Sequence, residues 1–145
     1  MMALEGTEIS NLFNPSISAT DDGFWVAFRG LGPGQSKPFQ AFLVKCGYDG
    51  EIIVPVINLS QVFGKQIGVP VCDPKLFKID GRTWMTFNTG HFETPNRIFI
   101  VDVESSDRQL MEVRFDGRSP IEKNWAIIST QGRLHAVYSV DPLII

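Results

Sequence analysis

The chain has 145 residues, 43% of them hydrophobic and 20% charged, with a formal net charge of -3. That length carries one domain with a real core but not two ordinary ones, and the composition is that of a folded chain, not a disordered one. The acidic balance and the lack of any basic run argue against a nucleic-acid partner, and no apolar stretch approaches the ~20 residues that span a bilayer.

From the N-terminus, the first ten residues have neither a basic region nor a following apolar run. No secretory signal is visible, so the expected location is cytoplasmic if Met1 is the natural start. Alternating and aromatic runs then predict strands over 24–29, 39–46 and 52–57, with a short helical turn near 59–65. A second group of strands is predicted over 75–79, 83–88, 97–103 and 109–115, and a third over 125–129 and 134–139. Gly and Pro fall between these runs, where turns need them. Cys46 and Cys72 form no CxxC pattern and read as two buried thiols.

The groups match one another. Asn14-Pro15-Ser16-Ile17, Asp73-Pro74-Lys75-Leu76 and Lys123-Asn124-Trp125-Ala126 each precede a glycine read as a turn residue: Gly23, Gly81 and Gly132. Each glycine is followed by an alternating strand, ending in Phe28-Arg29, Phe87-Asn88 and Tyr138-Ser139. A repeat of roughly 50 residues holding four short strands is the size of a β-propeller blade. The fold class expected is therefore all-β: repeated four-stranded antiparallel meanders, β-propeller-like, forming an incomplete ring. The chain reads as one partial domain, 1–145, with blade-like units at about 13–60, 72–117 and 122–145. Stacking of such units needs further partners, which leaves three readings: the chain is part of a longer propeller, it completes itself as a homo-oligomer, or its repeats are not blades and form an ordinary β-sandwich or meander.

Strand starts converge in a propeller, which places Asn14, Asp73 and Glu122 in related positions. Asp73 and Glu122 are then the paired carboxylates that glycosidic bond chemistry requires. Arg29, at the end of an apolar strand, offers a rigid fork for a carboxylate or a sugar hydroxyl. Lys123, Asn124 and Trp125 add an ammonium, an amide and an aromatic platform beside Glu122. Asp141, before Pro142, resembles Asp73, and His91 lies in a polar loop between two strands. Neither His91 nor His135 has metal-ligand spacing, so no metal and no cofactor is called for.

In Asn14-Pro-Ser-Ile, Asp73-Pro-Lys-Leu-Phe with Asp80-Gly81, Thr83-Trp-Met-Thr-Phe, Glu122-Lys-Asn-Trp, Leu134-His-Ala-Val-Tyr-Ser and Asp141-Pro, the chain resembles a known superfamily. This is the five-bladed β-propeller glycoside hydrolases and phosphorylases: arabinanase-like, invertase-like and mannoside-phosphorylase-like enzymes. The resemblance spans nearly the whole chain and about the first half of such a propeller. It implies an oligosaccharide or glycoside substrate, Asp73 as a substrate-binding or transition-state-supporting carboxylate, and Glu122 as general acid. Asn14 stands where the first blade commonly carries an aspartate nucleophile or base, which departs from the hydrolase pattern. In the phosphorylase pattern cationic residues hold phosphate, a role open here to Arg29, Lys123 or Arg97. A glycan-binding or structural module without chemistry is the alternative.

Overall fold

The computed structural model describes residues 7–122, 125–137, 139–140 and 143–144. Four consecutive strands, β1 (Ser10–Thr20), β2 (Gly23–Leu31), β3 (Gln40–Cys46) and β4 (Ile52–Asn58), pair antiparallel in chain order. Two four-residue helical turns follow, α1 (Leu59–Val62) and α2 (Gly64–Ile67), where one was expected. Asn58 caps α1 by accepting from the Gln61 N–H at 3.1 Å. The second sheet repeats the order: β5 (Cys72–Ile79), β6 (Arg82–Asn88), β7 (Ile98–Asp102) and β8 (Met111–Val113). β9 (Ala126–Thr130) and β10 (Arg133–Val137) then form a hairpin, as do β11 (Ser139–Val140) and β12 (Leu143–Ile144). The all-β expectation, with four-stranded antiparallel meanders, holds for the first two groups of strands.

The period-two pattern divides each sheet into two faces. Trp25, Ala27, Ala41 and Leu43 of the first sheet meet Leu76, Met85, Phe87, Phe99 and Val101 of the second in one buried core. Leu59 and Phe63 of the helical segment seal that core, and Phe87 stacks between Phe63 and Phe99 with centroids 5.5 Å from each. The alternate residues Phe28, Phe42, Val44 and Cys46 form a second cluster on the opposite face of the first sheet. Cys46 and Cys72 are both buried, and neither forms a disulfide among the described residues.

The two sheets share a defect that matters for the site. β1 pairs Phe13 with Arg29 and then Ser16 with Ala27, one residue out of step; β5 pairs Cys72 with Asn88 and then Lys75 with Thr86 in the same way. Pro15 and Pro74 supply the cause, because a proline cannot donate to the ladder and is accommodated at a bulge. The residue before each, Asn14 (φ 53°) and Asp73 (φ 47°), is left-handed, a conformation that short polar side chains tolerate better than other non-glycine residues. The Asn-Pro and Asp-Pro pairs are thus the same bulge built twice.

One turn assignment needs correcting. The hairpin closures are Thr20–Gly23, Ile79–Arg82 and Thr130–Arg133, so Gly81 and Gly132 are turn residues whereas Gly23 is already in β2. At Asp80-Gly81 and Gln131-Gly132 both φ angles are positive, the geometry of a type I′ turn. Gly23 (φ 152°) is needed for a different reason: a Cβ there would lie 2.0 Å from the Cys46 carbonyl oxygen in β3.

Candidate functional site

A cleft of about 280 Å³ opens where the bulge of β5 meets the ends of β2 and β6 and two loops. Arg29, Asp73, His91 and Glu122, four of the residues singled out in the sequence, line it together. Cys72, Asn88 and Phe92 line it as well, and so does Asn96.

The bulge points Asp73 back toward the end of β2. Arg29 Nη1 donates to Asp73 Oδ1 at 3.1 Å, and the two side chains are only 19% and 14% exposed. The Arg29 guanidinium carbon lies 5.3 Å from the Phe13 ring centroid, and its Nη2 is 3.9 Å from the Cys72 sulfur. Arg29 Nε is buried and has no hydrogen-bond partner among the described residues. Asn14 supports the pair from behind instead of facing the cleft. Its Nδ2 stands 3.5 Å from Asp73 Oδ1, while its Oδ1 accepts from Lys75 Nζ at 2.9 Å. A lysine, an amide, a carboxylate and a guanidinium therefore follow one another across the junction of β1, β2 and β5.

The loop between β6 and β7 forms another wall. Asn88 Oδ1 accepts from the Gly90 N–H at 2.7 Å, and the fully buried Thr89 closes the loop base by accepting from the Arg97 N–H at 2.9 Å. His91 and Phe92 project from this frame and are exposed, Phe92 by 48%. Arg97 is not available as a phosphate ligand in the cleft. It donates from Nε and Nη2 to Glu93 at 2.9 and 2.8 Å and from Nη2 to the Ile67 carbonyl at 2.6 Å. Its guanidinium also lies over Phe99. Arg97 thus braces the loop against the C-terminal end of α2, and it holds the Glu93 carboxyl below the usual carboxylate range.

Glu122 reaches the cleft by another route than the one expected. It lies in irregular chain before β9, not in a bulge like those of Asn14 and Asp73. Its carboxylate accepts from the Ser119 N–H and, through Oε2, from Trp125 Nε1 at 2.9 Å. That contact changes the reading of Trp125. The indole is 8% exposed, so it supports Glu122 from within the structure and presents no open face to a ligand. Phe92 is the exposed aromatic ring at this cleft. Lys123, Asn124 and Asp141 lie outside the described residues. No group of three His, Cys, Asp or Glu side chains capable of holding a metal occurs among the described residues.

Asn88, Phe92 and Asn96 were not singled out from the sequence. A signal for Asn88 was present, because it occupies the place in the second sheet that Arg29 occupies in the first, each opposite the residue before a bulge. Nothing in the sequence pattern marks Asn96.

Comparison with protein-family models, curated proteins and solved structures returns no match to this chain.

Proposed function

We propose that this protein is carbohydrate-active and works on glycosidic bonds, with its two meanders as successive blades of a β-propeller. The single observation that carries the reading is the meeting of Asp73 and Glu122, distant in sequence, in one cleft with Arg29 and His91. Two carboxylates beside one cavity are the minimum set for this chemistry. In this reading Arg29 holds Asp73 as an acceptor for sugar hydroxyls, Glu122 acts at the glycosidic oxygen, and Phe92 offers its ring to the apolar face of a sugar. The blade assignment is supported by the identical bulge and register at the start of both sheets and by their face-to-face core.

The test is turnover of an aryl-glycoside panel, run with and without inorganic phosphate, by wild type, Asp73→Asn and Glu122→Gln. Loss on the order of 100-fold or more in both variants supports the reading. Activity that survives both substitutions refutes it.

A second reading, glycan binding without chemistry, is favoured by Asn14 at the first bulge and by the donors already given to both carboxylates. It predicts saturable sugar binding by calorimetry with no turnover of any substrate in the panel.

A further inference from the structure

Asn96 is 1% exposed and sits at the end of the β6–β7 loop, beside the segment that carries Glu122. Its amide pairs with the main chain of Glu122 in both directions: Nδ2 donates to the Glu122 carbonyl at 2.6 Å, and Oδ1 accepts from the Glu122 N–H at 3.0 Å. The side chain thereby acts as a strand residue would toward a neighbouring strand, although residues 118–122 form neither strand nor helix. Its main chain holds the same segment. The Asn96 N–H donates to the Pro120 carbonyl at 2.8 Å, and its carbonyl accepts from Arg118 Nη2. Arg118 Nη1 adds a contact to Oδ1 at 3.4 Å.

We infer that Asn96 is a positioning residue that sets Glu122 in the cleft and fixes its distance from the loop of His91 and Phe92. Asparagine suits the place because its amide offers one donor and one acceptor side by side at any pH, matching a peptide group. An ionised aspartate removes the donor and turns a charge toward the Glu122 carbonyl; an alanine removes both side-chain bonds to the Glu122 main chain. As a role in catalysis, the inference rests on the glycosidic reading of the cleft. As a statement about Glu122 placement, it is open to separate measurement through Trp125, whose indole N–H binds the Glu122 carboxylate.

The experiment uses the ¹⁵N-labelled full chain, whose three tryptophans give three indole N–H resonances, with that of Trp125 assigned by Trp125→Phe. Glu122→Gln calibrates the shift caused by changing the acceptor. Asn96→Ala is expected to move or broaden the Trp125 resonance while those of Trp25 and Trp84 stay in place. An unmoved Trp125 resonance in the folded variant overturns the inference. Should Asn96→Ala not fold, Asn96→Asp decides the matter. A protonated carboxyl again carries a donor and an acceptor, so the resonance should match wild type in acid and depart from it as pH rises. Coincidence with wild type throughout that pH series overturns the inference.

The glycoside panel is run on the same proteins. If wild type neither binds nor turns over any sugar, the functional reading falls, and the indole resonance still judges Asn96. Where wild type is active, Asn96→Ala should lower kcat on the order of 100-fold and add little in the Glu122→Gln background. Additive losses overturn the positioning role.

Discussion

Removing the charge of Asp73 tests the electrostatic frame of the cleft. The carboxylate lies 3.1 Å from Arg29 Nη1, with the two side chains 14% and 19% exposed, so most but not all of the pair is withdrawn from water. Deleting one partner of a fully buried pair costs about 3–5 kcal/mol; partial contact with solvent at the cleft lowers this to roughly 2 kcal/mol for Asp73→Asn. Asp73→Ala removes the same charge and also places a residue without a short polar side chain at φ 47°. That adds about 1 kcal/mol. Arg29→Met should also lose roughly 2 kcal/mol, because it leaves Asp73 unpaired and removes the cation over Phe13. The double variant Arg29→Met/Asp73→Asn leaves neither charge uncompensated, so its loss should fall short of the summed single losses by about 1–2 kcal/mol. Urea unfolding of wild type and these four variants near neutral pH, followed by tryptophan fluorescence, measures the cycle and the Asp73→Ala comparison. Single losses that add to within about 0.5 kcal/mol refute the paired description. Equal losses for Asp73→Ala and Asp73→Asn refute the backbone contribution.

Gly23→Ala should destabilise by about 2–4 kcal/mol, because its Cβ meets the Cys46 carbonyl in the sheet. Gly81→Ala, at φ 78° with open space around the new methyl, should lose only about 1–2 kcal/mol; the opposite order in urea midpoints would contradict the turn assignment. Burial pushes the Cys46 thiol above its ordinary 9.0, and both cysteines are about 5% exposed or less. A thiol reagent should therefore label the native protein slowly, reaching Cys72 at the cleft before Cys46, and mass spectrometry showing Cys46 labelled first would count against this. Glu93 is held below its ordinary 4.5 mainly by the Arg97 guanidinium, which outweighs the opposing effect of burial. Its contribution to stability is therefore full above pH 4.5 and lost as pH falls through the lower folded value. The urea midpoints of wild type and Glu93→Gln should differ above that window and converge in acid. A gap that does not change with pH refutes the linkage.

Much of the architecture was legible because its causes are local. Apolar alternation in runs such as 24–29 and 83–88 has the strand period, and Asp80-Gly81 and Gln131-Gly132 supply the positive φ angles of tight hairpins. The repeated Asn-Pro and Asp-Pro pairs also carried real information, since a proline in a strand needs a bulge. Gly23 was misread because spacing alone does not separate a turn glycine from one pressed against the next strand.

The sequence by itself therefore determined most of the strands, the two Gly-closed hairpins and the matching places of Asn14 and Asp73. Each of these depends on backbone preferences within a few residues. The bulge at Asn14 and Asp73 emerged from the strand register. Only the tertiary structure decided that Glu122 joins Arg29 and Asp73 through a loop latched by Asn96. It also decided that Trp125 is buried while Phe92 is exposed, and that Arg97 braces a loop instead of lining the cleft. Those outcomes depend on which distant segments cover a side chain and which of its donors they occupy, and residue spacing along the chain encodes neither.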